Sequence, residues 1–205
     1  MGWTSRYYLA SDTETGGIDP EKFDLLTAGF ALYNARRDPL WQFEFAVSKP
    51  VHLYRTCKEA LDVNKLNLEE CSRFGLVDPW LRRSDYKDCT EIQQDAQNQL
   101  LMMHKLLKEL RKKSVEVVLM CHNIPFDKPF LKEWFPWLFE LISYRSIDTI
   151  GCALMLQDTG KLPVENVKLV TLSQHFNIPH KAHSALADAQ VCMLVYKRLI
   201  DLCKL

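Results

Sequence analysis

Apolar and polar residues alternate with two different periods along this chain, and the changes of period divide it into elements. Tyr7 to Ser11 is a short aromatic and apolar run of strand length. "LLTAGFALYN" and "LWQFEFAVS" then alternate apolar with small or polar residues on either side of the break "ARRDP". That is a hairpin signal, and it predicts that the chain opens with three antiparallel strands. From Lys58 to Tyr86 the pattern loosens, with "ALDVNKLNLEE" reading as partly helical and "VDPWLRRSDYKD" as loop. Leu100, Met103, Leu106, Leu107 and Leu110 next recur at helical spacing, and their segment ends in the basic run "LRKK", which suits a solvated helix C-terminus.

"VEVVLMCHN" is a continuous apolar run and predicts a strand buried on both faces. Beyond it, "PFLKEWFPWLFELI" reads as a helix interrupted at Pro136, "SYRSID" as a short strand and "TIGCALMLQ" as a helix. "LVTLSQHFNI" and "SALADAQVCMLVYKRLIDLCKL" read as two further helices. An antiparallel start followed by alternating helices and strands predicts an α/β fold with a mixed central sheet. With no repeat, low-complexity linker or second core in the pattern, residues 1–205 are expected to form one domain.

Composition narrows the function classes. Lys plus Arg and Asp plus Glu both total 26, so no global field points to nucleic acid or to a membrane surface, and an anionic partner must be held by local arrangement. The seven cysteines, at 57, 71, 89, 121, 152, 192 and 203, are odd in number, widely spread and free of any C-x-x-C pair. That spacing argues against a zinc site and a disulfide framework and suits a reducing, cytoplasmic setting. Met1 to Arg6 is polar and does not resemble a signal peptide, and no apolar run approaches the length of a membrane span, so no membrane partner is expected.

Candidate chemistry begins at "YYLASDTETGG", which sets Asp12 and Glu14 one residue apart where the first strand gives way to a turn. Residues two apart on a strand point to the same face, so both carboxylates project into one place and repel each other unless a cation lies between them. "CHNIPFD" puts Asp127 just beyond the end of the buried strand, the usual edge for a ligand in an α/β sheet. "HSALADAQ" offers Asp188 early in the last helix, with Ser184 as its N-cap and His183 just outside the regular helix. Were both helical, His183 and Asp188 would face different ways, so an extended His183 is what lets both reach one site. Four carboxylates from three segments suit two hard divalent cations such as Mg²⁺ or Mn²⁺. Two such ions roughly 4 Å apart clamp the attacking and leaving oxygens of a phosphoryl displacement.

"DTETGG", "HNIPFD" and "HSALADA" resemble the three exonuclease motifs of the DEDDh branch of the DnaQ-like 3'→5' exonucleases, which have a ribonuclease H-like fold. The motifs stand in the family's order, and the resemblance runs from about Tyr7 to Leu199. It implies a metal-dependent exonuclease that removes nucleoside 5'-monophosphates from the 3' end of DNA or RNA, with a single strand preferred. It makes Asp12 the ligand shared by both ions, places Glu14 and Asp188 on the ion that activates water, and gives Asp127 to the second ion. His183 becomes the general base, a role suited to a side chain whose ordinary pKa lies near working pH. The backbone at Thr15 and Gly16 is expected to cradle the terminal nucleotide, with Leu61 and Asn64 of "ALDVNKLNLEE" covering its base. His122 and Asn123 are expected to support the turn that carries Asp127, Asn123 within reach of substrate. His180 is the competing base, but its spacing to Asp188 misses the motif. Asp148 matches a position often acidic in the family and reads better as a helix N-cap.

Three alternatives bear on function. A haloacid-dehalogenase-type phosphatase also starts with a strand and an Asp, but Glu14 does not fit its D-x-D pattern. An idle nuclease fold serving as a binding module is expected to lose one of the five groups, and all five are present. An RNA-restricted exoribonuclease of the ribonuclease T or oligoribonuclease type shares the same five groups. Trp80, Arg82, Arg83, Tyr86 and Lys87, in the 78–88 segment, mix aromatic and basic side chains as strand-contacting loops do.

Overall fold

The computed structural model describes residues 5–77, 91–181 and 183–204. Trp80 to Lys87, the aromatic and basic loop of the sequence reading, lie outside them. Strands β1 (Ser5–Thr15), β2 (Leu25–Tyr33) and β3 (Pro39–Ser48) form the expected antiparallel unit. The break between β2 and β3 closes on Asn34, whose side-chain oxygen accepts the amides of Arg36 at 2.8 Å and Asp38 at 3.0 Å. An asparagine that bonds the backbone two residues on is a turn former by chemistry rather than by polarity alone.

After the 3₁₀ turn Val51–Leu53, the loosely patterned stretch folds as two short helices, α1 (Lys58–Asn64) and α2 (Leu68–Phe74). Left-handed Lys65, φ 55°, ends the first, and Asn67, accepting Glu69 N–H, caps the second. The two-residue β4 (Leu76–Val77) follows, then α3 (Glu91–Lys112), the wholly buried β5 (Val115–Cys121) and α4 (Ile124–Trp134). Phe135 separates α4 from α5 (Pro136–Leu141), where the proline occupies the first helical position that tolerates its missing N–H. β6 (Ser146–Asp148), α6 (Thr149–Asp158), α7 (Leu169–His175) and α8 (Ala185–Cys203) complete the chain.

The sheet order is β4-β3-β2-β1-β5-β6, with β5 parallel to β1 and β6 parallel to β5. Five strands form the central sheet, and short β4 extends it at the β3 edge. On one face, Met103 and Leu107 of α3 and Phe130 and Leu131 of α4 bury against Leu9, Phe30, Val117 and Leu119. Leu100, Leu106 and Leu110 pack at the margin of the same cluster, so the helical stripe read from sequence is the face that α3 buries. On the other face, Ala189, Cys192 and Met193 of α8 cover Tyr8, Ala10, Ala31 and Met120. β1 and β5 therefore end side by side between two helical layers, and their carboxyl ends open one crevice. Among the described residues no helix is long and apolar enough to cross a membrane, and all the described cysteines are free thiols.

Candidate active site

β1 delivers Asp12 and Glu14 to that crevice on one face, as period two requires. The pairing with β2 slips between Glu14 and Thr15, and such bulges bend a strand and re-aim the side chains beside them. α8 brings Asp188 in its first turn, where Ser184 caps the helix through Ala187 N–H. Ligand oxygens of Asp12, Glu14 and Asp188 all lie within 4.8 Å of one another.

Two residues invisible to motif reading make that convergence possible. Asp12 stands opposite Gly29 on β2, and Gly29 opposite Glu44 on β3, so the three form one cross-strand row. A Cβ at Gly29 would come within 2.2 Å of the Ala185 carbonyl carbon and the Leu186 nitrogen. Glycine there lets the first turn of α8 rest directly on the sheet. Glu44 Oε2 then accepts Leu186 N–H at 2.7 Å and the Ser184 hydroxyl at 3.0 Å, fixing the helix start with a charge that favours its positive end. Period two was the only sequence signal for Glu44, and it does not reveal which strands are neighbours.

Asp127 arrives from the first turn of α4 and is buried, its Oδ1 accepting the Thr13 hydroxyl at 2.8 Å. It stands close enough to raise the pKa of both Asp12 and Glu14, although its oxygens are not part of the 4.8 Å group. Burial, then the charges of Asp127, Asp188, Glu14 and Glu44, push Asp12 well above the ordinary carboxyl range. Burial followed by Asp188, Glu44 and Asp127 pushes Glu14 up to about 7. Burial also takes Asp127 to about 7, against the opposing effect of its Thr13 hydrogen bond. The protein alone thus holds these acids in a form that resists ionisation.

The imidazole that touches the cluster belongs to His180. Its Nε2 meets Asp188 Oδ1, and its Nδ1 lies 3.1 Å from Ser173 Oγ. The Ser173 hydroxyl also lies 2.8 Å from the Val170 carbonyl, to which it donates, so both ring nitrogens of His180 are engaged by fixed partners. The ring therefore bridges Ser173 of α7 and Asp188 of α8. His183, the expected base, is exposed at φ 69° and offers only its backbone N–H to Asp188 Oδ2 at 3.2 Å. The spacing argument placed His183 rightly outside the helix. It ranked His180 below His183, because His180 comes from the chain beyond α7 and becomes a neighbour only when α7 packs against α8.

The expected nucleotide cradle is rearranged. Gly16 spends its amide on the Asp24 carbonyl at 2.8 Å and its carbonyl on Cys57 N–H at 2.7 Å. Its Cβ would meet the Arg55 carbonyl oxygen at 2.3 Å, so the close approach that requires glycine here is made by backbone. Thr15 Oγ1 donates to the Gly17 carbonyl, and buried Asn64 donates to the Thr15 carbonyl at 3.1 Å. Leu61 turns inward to pack with Leu26, Tyr54 and Cys71. Ala60, Val63 and Asn64 of α1 instead wall a cavity of about 670 Å³ that also meets Glu14, Phe23 and Phe126. Asn123 is exposed in the left-handed region at φ 88°, and its amide donates to Asp148 Oδ1. Asp148 caps α6 through Ile150 N–H at 2.9 Å, and His122 Nδ1 pairs with Thr149 Oγ1 at 2.8 Å.

No protein-family model matches the sequence, and no curated protein does. Solved structures do match the fold. A moderately thermophilic Exonuclease I from Methylocaldum szegediense superposes with a TM-score of 0.67 at 16% identity, over 95% of this chain and 40% of that one. E. coli Exonuclease I in complex with a dT13 oligonucleotide gives 0.68 at 16% identity, over 96% of this chain and 43% of that one. A zinc-bound E. coli Exonuclease I complex with single-stranded DNA gives 0.64 at 15% identity, over 97% and 42%. The chain thus spans about two fifths of the length of these structures, and its fold is the ribonuclease H-like exonuclease fold.

Proposed function

We propose that this chain is a metal-dependent 3'→5' exonuclease that releases nucleoside 5'-monophosphates from single strands. The observation that carries the reading is the carboxylate cluster at the carboxyl ends of β1 and β5, in which Asp12, Glu14 and Asp127 have no cationic partner among the described residues. An oxygen-only donor set with raised pKa values fits hard divalent cations, Mg²⁺ or Mn²⁺. Asp12, Glu14 and Asp188 would hold one, and Asp12 with Asp127 a second. Bound there, the cations would offset the charge of the acids and of the phosphate under attack.

The chain's own residues supply the rest. The cavity beside Glu14, walled by Val63, Phe23 and Phe126, takes the terminal nucleoside on apolar surface and leaves its phosphate at the acids. His183 is the base, because it is exposed and adjoins Asp188 through its backbone, whereas both ring nitrogens of His180 are engaged. It takes the proton of the attacking water as the new P–O bond forms. The bond from phosphorus to the 3' oxygen of the preceding nucleotide breaks, and that oxygen leaves as the new 3' end. Likeness in fold to exonucleases solved with single-stranded DNA supports the substrate class.

The test follows a 5'-labelled DNA strand and its RNA counterpart with Mg²⁺, each with a free or a phosphorylated 3' end. A one-nucleotide ladder from the free ends and strong inhibition by the 3' phosphate are expected. Cutting of a circular single strand at equal speed would replace the reading with an endonuclease.

A further inference from the structure

β6 forms one edge of the sheet, and between it and helices α4 and α5 lies a second cavity of about 220 Å³. Buried Leu119 and Ile142 give it an apolar lining, and Lys128, Lys132, Tyr144 and Arg145 give it cations and an exposed ring. The charges are not balanced locally. Buried Glu116 is the carboxylate at hand, and its oxygens are taken by Arg6 at 2.7 Å and by Ser143 and Arg145, each at 3.0 Å. Burial by itself raises the Glu116 carboxyl, and these hydrogen bonds overcome it and hold it below its ordinary range. Neither Lys128 nor Lys132 has a carboxylate partner among the described residues, and Lys132 Nζ stands 5.8 Å from the Phe139 ring.

Tyr144 is 81% exposed, and the Arg145 guanidinium lies 4.9 Å from its ring centre. Glu116 fixes that guanidinium from one side, so the arginine and the ring form a prepared flat surface. An exposed aromatic ring backed by arginine, beside two unpaired lysines, is the combination that stacks a base and meets a phosphate. The cavity is smaller than the roughly 300 Å³ at which sites for drug-sized ligands begin, so it holds a phosphate and sugar with the base outside on Tyr144.

We propose that this cavity is a second nucleic-acid subsite that holds one phosphate and its base from the upstream part of a single strand. Lys128 and Lys132 meet the phosphate, and Tyr144 with Arg145 stacks the base. α4 links the two sites, since Asp127 lies in its first turn and Lys128 and Lys132 follow along it. The proposal rests on the exonuclease reading for which strand arrives, and on the cavity itself for what is bound.

The test is the affinity of the full chain for dT4 and dT12 carrying a non-hydrolysable terminal linkage, in Mg²⁺, read by fluorescence anisotropy at two salt concentrations. Tyr144→Ala and Lys132→Ala, both at exposed positions, should each weaken dT12 at least five-fold and leave dT4 unchanged. Lys132→Ala should also reduce the salt slope by about 0.7. Hydrolysis of ordinary dT4 should stay at the wild-type rate in both variants. Unchanged dT12 affinity in both variants overturns this subsite even if the enzyme is active. Weakened dT12 binding by a chain that never hydrolyses dT4 upholds the subsite and overturns the exonuclease reading instead.

Discussion

Two acidic centres flank the turn that follows β1, and they are balanced in opposite ways. Asp24 is 1% exposed, and it accepts Lys49 Nζ at 2.7 Å, Arg55 Nε at 2.9 Å and the Arg55 amide at 2.7 Å. Its own backbone holds Gly16 through the 2.8 Å bond described above. Across the turn, Asp12, Glu14 and Asp127 have no cationic partner among the described residues, and Asp188 alone meets an imidazole, that of His180. Burial costs an unpaired ion heavily, and a chain offsets the cost where the charge only holds the fold. Asp24 is complete in itself and fixes the turn. The other four acids are left for a cation from outside, and that deficit separates a site from a brace.

Removing the brace should have the largest effect. Asp24→Ala leaves Lys49, whose side chain is 7% exposed, buried without this carboxylate, and breaking such a pair costs about 3–5 kcal/mol. Urea unfolding of the metal-free chain should show that loss. A cost below about 1 kcal/mol would end the contrast.

The two histidines sharpen the contrast next. His183→Ala should slow hydrolysis by ~10²-fold at saturating Mg²⁺, the loss typical of a general base. His180→Ala should keep kcat within a few-fold and lower the Mg²⁺ concentration needed, because it removes the ring that occupies Asp188 Oδ1. The opposite pattern in a Mg²⁺ titration of both variants would transfer the proton to His180.

The smallest effect is on stability against pH. Glu14 and Asp127 titrate at about 7 in the fold and near ~4 when unfolded, and Asp12 is raised in the same direction. Between those values the folded chain binds more protons than the unfolded one, so stability falls as pH rises. In chelator the Tm should be a few degrees lower at pH 8 than at pH 5. Mg²⁺ should restore it at pH 8 and do little at pH 5, and Glu14→Gln should flatten the slope. A Tm in chelator that does not change with pH would show that the cluster is already neutralised without metal.

Much of the fold was written in local pattern. The hairpin of β2 and β3, the buried run of β5, the stripe of α3 and the break at Pro136 each depend on residues close together in sequence, where period and steric preference act directly. The four acids were legible for the same reason, since D-x-E on a strand, an Asp beyond a buried strand and an Asp one turn into a capped helix are local statements. What joins them was not. Glu44 lies 32 residues from Asp12 and is placed by the register of two strand pairs through Gly29, and nothing in the sequence near Glu44 announces its contact with α8. His180 meets Asp188 through the packing of α7 on α8. Leu61 and Ala60 are adjacent in sequence, yet one enters the core and the other a cavity wall. Helical periodicity reports that α1 has two faces, and the residues α1 packs against decide which is which. Sequence thus determined the chemistry available and the elements that carry it, because covalent neighbours set both. The tertiary structure decided which groups meet, because register, helix phase and close backbone approach at Gly16 and Gly29 arise only between segments far apart in the chain.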